Sequence, residues 1–213
     1  MDADQQLLGR FTARLQGAGC VFALEEAELL LRGARSAAEA EVLLQRRLTG
    51  EPLEYVLGWA EFLGRRVKVV PGVFIPRRRT EFLAAAALES ASGRNAPVIL
   101  DLCCGSGALS TVFAAALSKA ELHAADLAPD AVAAARSNLG DQAQVYQGDL
   151  FDALPRQLRG RIDVVAANAP YVPTEQLPFL PAKPASTNLL ARWTAAGRGW
   201  NFSGASRPRR RNG

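Results

Sequence analysis

The sequence predicts an α/β fold, a parallel sheet with helices on both faces, preceded by a small helical domain and a β-hairpin. Three observations predict it. From Pro97 onward, strand-like and helix-like segments alternate at the spacing of βα units. Gly105 and Gly107 stand directly between the first of these strands and the helix after it. Residues 5–48 carry helical apolar spacing instead. With 213 residues, 49% hydrophobic and 22% charged, the chain has room for one sizeable core and an accessory domain.

Taken in order, Leu7, Leu8, Phe11 and Leu15, then Ala27, Leu30 and Leu31, then Val42, Leu43 and Leu48 mark short helices that must share a core, because none would be stable alone. Ser36 before Glu39 resembles a capping box for a helix over 37–48. This helical domain, residues 1–50, has the task of recognising a partner or shaping one wall of a site. Over 53–75 the pattern changes. Val67, Val69 and Val73 alternate against Lys68 and Val70, Gly64 and Pro71-Gly72 signal turns, and two short strands result, a hairpin linker assigned to 51–76. Thr80-Glu81 opens an alanine-rich helix to about Ala91. Strands follow at Val98–Asp101, Glu121–Asp126, Gln144–Gln147 and Ile162–Ala167. Helices lie at Ala108–Leu117 and Pro129–Leu139, the second with proline in its first turn. A ligand belongs beyond the carboxyl ends of such strands, where Gly105, Asp126, Asp149 and Asn168 fall.

The formal net charge is +4, but Lys183, Arg192, Arg198, Arg207, Arg209, Arg210 and Arg211 sit in a stretch without acids. Without those seven, residues 1–182 carry −3, so the basicity belongs to the tail and direct nucleic-acid binding is disfavoured. The three cysteines form no CxxC and His123 is the single histidine, which speaks against a metal site or a disulfide framework and for a reducing compartment. No apolar run approaches a membrane span or a signal peptide, so the expectation is a cytoplasmic monomer.

A glycine turn after a strand lets backbone N–H groups approach a ligand, although a tight turn with no ligand gives the same pattern. No third glycine follows, and Asp101 puts negative charge beside the turn. Both features disfavour a pyrophosphate and suit a cofactor with a positive amino-acid end. Asp126 is placed to accept both hydroxyls of a ribose, or else to cap the next helix. Asp149-Leu-Phe151 offers a carboxylate and an apolar surface to adenine, or else forms a solvated loop. Together they favour S-adenosylmethionine over NAD. Asn168-Ala-Pro-Tyr171 ends the last strand. The Asn168 amide can grip both ends of a carboxamide, backbone carbonyls of Ala169 or Pro170 can take the remaining N–H, and the Tyr171 ring can pack on the substrate. Such a grip orients a planar nitrogen towards a methyl group without a titrating base.

These stretches, together with Gly50-Glu-Pro-Leu-Glu-Tyr-Val-Leu-Gly58, Glu61-Phe62, Pro71-Gly-Val-Phe-Ile-Pro-Arg77 and Arg79-Thr-Glu81, resemble the HemK/PrmC family in order and spacing. That family comprises the N5-glutamine methyltransferases of peptide chain release factors. The resemblance implies a Rossmann-like, class I S-adenosylmethionine-dependent methyltransferase sheet over 77–180, incomplete at its C-terminus, behind the helical domain and hairpin. It implies that Asp101, Cys103, Gly105 and Gly107 border the methionine end of the cofactor, that Asp126 borders its ribose, and that Asp149 and Leu150 border its adenine, with Leu127 and Asn168 also among the cofactor-binding residues. Asn168, Pro170 and Tyr171 would be the catalytic residues. Phe74, Pro76 and Arg77, with Asn168, Ala169, Pro170 and Tyr171, would hold the substrate glutamine of the release factor partner. Two positions depart from the family pattern. Arg78 replaces a proline after Ile-Pro-Arg, and Ala169 replaces the first proline of Asn-Pro-Pro-Tyr, a change that keeps the backbone carbonyl.

After about Leu180 the family pattern stops. Residues 181–213 contain no acid and no strand or helix rhythm, and the expectation is a truncated or frame-shifted end that is poorly ordered, with an unpaired sheet edge at Ile162, Val164 and Val165. Two other functions compete with glutamine N5-methylation. One is an inactive descendant that binds S-adenosylmethionine or RNA, and the other is N6-adenine methylation of nucleic acid.

Overall fold

The structure is a computed structural model that describes residues 3–169. The expectations for Pro170, Tyr171 and the tail lie outside the described residues. Four helices come first: α1 (Ala3–Gly17), α2 (Ala23–Gly33), α3 (Ala37–Leu48) and α4 (Leu53–Leu57). Their apolar faces meet in one cluster built on Phe11, Leu15, Ala27, Leu30, Ala40, Leu44 and Val56. The sequence pattern put Val42 in this core, but Val42 is 59% exposed and fully buried Leu44 takes its place. At 100° per residue, the face of α3 that turns inward runs through Ala40 and Leu44, and Val42 lies on the far side. Ser36 caps α3 by accepting the Glu39 N–H at 3.1 Å. The Glu39 carboxylate returns to the Arg35 N–H at 2.8 Å, one residue earlier than a capping box requires. A largely buried ion pair, Arg47 with Glu26 at 2.6 Å, ties α3 to α2.

The expected hairpin is present but shorter than the 53–75 span. Residues 53–57 form α4, which ends at Gly58 with φ of 79°. Strands β1 (Trp59–Phe62) and β2 (Arg65–Lys68) pair antiparallel, with Phe62 opposite Arg65. Leu63 and Gly64, both at positive φ, form the two-residue turn whose twist suits such strands. The pairing stops after the Val69 N–H reaches the Gly58 carbonyl at 3.0 Å, because Pro71 lacks the N–H that would continue a ladder and the Val73 N–H closes a turn onto the Val70 carbonyl at 3.1 Å; Val69 packs with Tyr55, Ala60 and Ile75, and Val73 with Ala131 and Ala134.

The second part holds α5 (Thr80–Ala91), β3 (Val98–Leu102), α6 (Ala108–Ala116), β4 (Glu121–Asp126), α7 (Pro129–Leu139), β5 (Gln144–Gln147) and β6 (Val164–Ala167). The four strands are parallel in the order β5-β4-β3-β6. β6 starts two residues later than the sequence suggests. The Asp163 carboxylate takes the Val98 N–H at 2.9 Å, a place a strand carbonyl would otherwise fill.

A further expectation, about the layers, fails within the described residues. Helices α5, α6 and α7 do not flank the sheet on two sides. All three pack on the face that carries Ile99, Leu122, Ala124, Val145, Val164 and Ala166. The opposite face, with Leu100, Leu102 and Ala125, is covered by Leu150, Ala153, Leu154 and Ile162 from irregular chain. Between β5 and β6 there are only two short 3-10 turns, Leu150–Ala153 and Arg156–Leu158, and Pro155 between them blocks their fusion into a helix. Among the described residues, β6 pairs only with β3, and Val165 is 45% exposed.

Candidate active site at the carboxyl end of the sheet

The chain leaves β3 through Cys103 at φ 59°, turns at Gly105 and Gly107, and enters α6. The Cys104 N–H reaches the Ala125 carbonyl at 3.0 Å, and the Gly107 N–H closes onto the Cys104 carbonyl at 2.8 Å. The two glycines have different reasons to be there. A side chain at Gly105 would meet nothing within 4 Å, so that position faces open space. A side chain at Gly107 would press on Leu139 at 3.2 Å and Ala135 at 3.3 Å, so its absence lets α6 and α7 approach.

Asp126, at the end of β4, organises this turn. Its Oδ2 accepts the Gly105 N–H at 2.9 Å, and its Oδ1 accepts the Ala128 N–H at 2.9 Å at the start of α7. The second bond closes a short turn onto Ala128, the residue before α7, whose own start carries no side-chain cap, so the alternative role of helix cap is not what Asp126 performs. A carboxylate has about four acceptor sites, so capacity for two hydroxyl donors remains. Leu127, beside it, is 49% exposed. The next strand delivers Asp149, which is exposed, and then half-buried Leu150 and Phe151, which is 42% exposed; with Asp152 they line a shallow depression.

Asp101 lies below the turn, 1% exposed. Its Oδ2 accepts from the Ser110 hydroxyl at 2.8 Å and the Ser110 N–H at 3.2 Å, while its Oδ1 has no partner. Burial lifts its carboxyl to about 7, against the pull of the Ser110 bonds and with help from the Asp126 charge. Burial, together with the charges of Asp126, Asp101 and Asp149, also pushes the Cys103 thiol up to about 12, and burial raises Cys104 further. Both thiols stay protonated near neutral pH and offer no nucleophile.

The structure thus brings Asp101, Cys103, Gly105, Gly107, Asp126 and Asp149 into one neighbourhood. Asn168, exposed, and Ala169, half-buried, follow β6 at the same end of the sheet. Phe74 is 41% exposed with the Arg77 guanidinium 5.7 Å from its ring, and Pro76 is half-buried. Their segment is anchored through Val73, whose carbonyl accepts the Tyr55 hydroxyl at 2.7 Å and whose side chain packs on Ala131 and Ala134 of α7. Ser110 escaped sequence reasoning, since nothing local marks a serine inside a helix as the partner of a strand carboxylate. His123, in the middle of β4 opposite Leu100, is engaged elsewhere, with Nδ1 3.1 Å from the Tyr146 hydroxyl and Nε2 3.0 Å from Glu121.

The donor set fits S-adenosylmethionine. A buried carboxylate oxygen without a partner, a second carboxylate fixed by backbone N–H groups and an open glycine turn favour a positive amino-acid end and a ribose.

Comparison with known proteins gives the same class. A methyltransferase domain family matches residues 99–182. The release factor glutamine methyltransferase of Bordetella pertussis is 43% identical over 136 residues, covering 62% of this chain and 50% of that protein. The release factor glutamine methyltransferase of Moorella thermoacetica is 36% identical over 211 residues, covering 88% of this chain and 73% of that protein. A 4-amino-L-phenylalanine/4-methylamino-L-phenylalanine methyltransferase of Streptomyces pristinaespiralis is 40% identical over 136 residues, covering 61% of this chain and 46% of that protein. The chain spans about half the length of most of these curated relatives.

Proposed function

This chain belongs to the release factor glutamine methyltransferase family, and from that membership we propose that it transfers a methyl group from S-adenosylmethionine to the side-chain amide nitrogen of a protein glutamine, that of a peptide chain release factor. The observation that carries the reading is the convergence at one end of the sheet of the Asp126-pinned glycine turn, the unpartnered Asp101 oxygen and Asn168. S-Adenosylmethionine supplies an electrophilic methyl group on a sulfonium. The chain's residues then have three tasks. Asp101 and Asp126 favour the positive, hydroxylated donor over a phosphate-bearing one. Asn168 holds the substrate carboxamide by its oxygen and nitrogen, so that the nitrogen lone pair points at the methyl carbon. As the new N–C bond forms and the C–S bond breaks, fixed dipoles at Asn168 and the backbone after it would stabilise the positive charge that the amide nitrogen gains on accepting the methyl group. The amide proton then leaves to water. Pro170 and Tyr171 complete the grip in this proposal, and Phe74, Pro76 and Arg77 form its wall.

The Streptomyces pristinaespiralis relative, by its name, methylates an aromatic amine, another planar nitrogen. The glutamine reading is favoured because the Moorella thermoacetica match covers 88% of the chain, which takes in part of the helical segment as well as the sheet. A cytoplasmic setting accords with three free cysteines. Among the described residues no helix is long and apolar enough to cross a membrane.

The test is Asn168→Ala, assayed with a release factor carrying Gly-Gly-Gln and by calorimetry with S-adenosylhomocysteine. Turnover should fall at least about a hundredfold while cofactor affinity changes less than about threefold. An equal loss of both would refute the role given to Asn168.

A further inference from the structure

Asn138, near the end of α7, makes three hydrogen bonds that the chemistry above does not use. Its Oδ1 accepts the Lys68 N–H at 2.9 Å. Its Nδ2 donates to the Lys68 carbonyl at 2.9 Å and to the Ser106 carbonyl at 2.8 Å. Lys68 closes β2 opposite Trp59, and both of its backbone groups go to the Asn138 side chain as they would to a third strand. A carboxamide can do this because it presents a donor and an acceptor in one plane, as a peptide group does. With that plane fixed, the second N–H of Nδ2 has one direction left, and it meets Ser106.

Ser106 is the middle residue of the glycine turn and is 2% exposed. Its neighbour Gly105 is already held by Asp126. The turn is therefore tied at two successive residues, once to the end of β4 and once to α7, whose Asn138 also holds the hairpin at Lys68. The segment leaving the hairpin leans on the same helix, through Val73 against Ala131 and Ala134. Its partners are distant in sequence, Lys68 by 70 residues and Ser106 by 32, so these bonds are tertiary ones that the helix itself does not require.

The geometry points to Asn138 as a positioning residue that couples the β1–β2 hairpin, and the Phe74–Arg77 segment after it, to the glycine turn, so that a ligand held at the turn alters the order of the hairpin. Asn138 touches no reacting atom and acts through Ser106 and Lys68. The identity of the ligand rests on the function proposed above, whereas the bridge itself does not.

Amide hydrogen exchange on the full chain, with and without S-adenosylhomocysteine, tests it. In the unsubstituted protein the Lys68 amide should exchange at least about tenfold more slowly than an unprotected peptide, and more slowly again with ligand. Asn138→Asp keeps the acceptor for the Lys68 N–H but loses both donors. Lys68 should retain protection in that variant while its response to ligand disappears. Asn138→Ala should speed exchange at Lys68, Gly105 and Gly107 by about tenfold or more, with Leu122–Ala125 unchanged. Unprotected exchange at Lys68 in the parent chain, or a full ligand response in Asn138→Asp, would overturn the coupling. Should the ligand leave Gly105 and Gly107 unaffected in the parent chain, the cofactor reading fails instead, and the substitutions alone decide. Faster exchange at Gly105 in either variant then supports the bridge, and unchanged exchange there overturns it.

Discussion

A carboxyl group sealed beneath the glycine turn links the chemistry of the site to its stability. Asp101 is 1% exposed, and burial lifts it from 3.8 to about 7. A carboxyl whose folded value lies above its unfolded value is bound more tightly by its proton in the native state. Its contribution is therefore most favourable below about pH 4 and is lost as pH rises through about 7. The size of that loss is at most on the order of 4 kcal/mol. Asp101→Asn keeps an acceptor for Ser110 and removes the titration. Its stability relative to the parent should climb between pH 4.5 and 7.5 and then level off, as read from denaturant midpoints at each pH. The slope is diagnostic, because any fixed cost of the unpaired amide shifts the whole curve without tilting it. Parallel curves would mean that Asp101 is ionised throughout this range and that the buried carboxylate is stabilised by some group other than Ser110.

At the scale of elements, one turn carries two glycines with separable duties. Gly105→Ala puts a methyl into open space at φ 55°, so its structural cost is backbone strain of about 1 kcal/mol, and its main effect should be a large loss of cofactor affinity. Gly107→Ala adds the same strain and drives the methyl into Ala135 and Leu139, so it should cost about 2–4 kcal/mol of stability by forcing α6 and α7 apart. Thermal unfolding and calorimetry with S-adenosylhomocysteine separate the two, and the reverse ranking would contradict this division of roles. Both glycines were visible in the sequence as turn residues, but which one faces a ligand was not, because the answer lies with α7, some thirty residues further on. The strands Glu121–Asp126 and Gln144–Gln147 and the helix Pro129–Leu139 were legible to the residue, since alternation, a first-turn proline and a following glycine mark them locally. Three features were not legible for the same reason as the glycine roles. The one-sided stacking of α5, α6 and α7, the inward turn of Leu44 in place of Val42, and the bridge from Asn138 to Lys68 are all decided by contacts between distant segments. Asp126 shows the mixture most clearly. Its position at the strand end was legible, while its grip on the Gly105 N–H, across 21 residues, required the fold.

Across the described residues, the apolar interior is divided. Phe11, Leu15, Ala27, Leu30 and Leu44 belong to one cluster, and Ile99, Val112, Phe113, Leu122 and Val145 belong to another. A small third cluster of Tyr55, Ala60, Val69 and Ile75 lies along the linker. The sheet carries the candidate cofactor residues, so the helical cluster can be weakened without touching them. Leu30 is fully buried at the centre of the helical cluster, and Leu30→Ala should remove about 2–5 kcal/mol from it. If the two cores open as separate cooperative units, exchange should accelerate in α1–α3, while the β3 and β4 amides and S-adenosylhomocysteine affinity stay within about twofold of the parent. We propose that the helical segment recognises the protein substrate, as its sequence suggests, and methylation of a whole release factor should then fall all the same. Equal acceleration of exchange in the helices and the sheet would show a single cooperative core, and it would mean that Arg46, which reaches the Tyr55 and Val56 carbonyls at 3.2 and 3.3 Å, and the linker cluster bind the two parts into one unit.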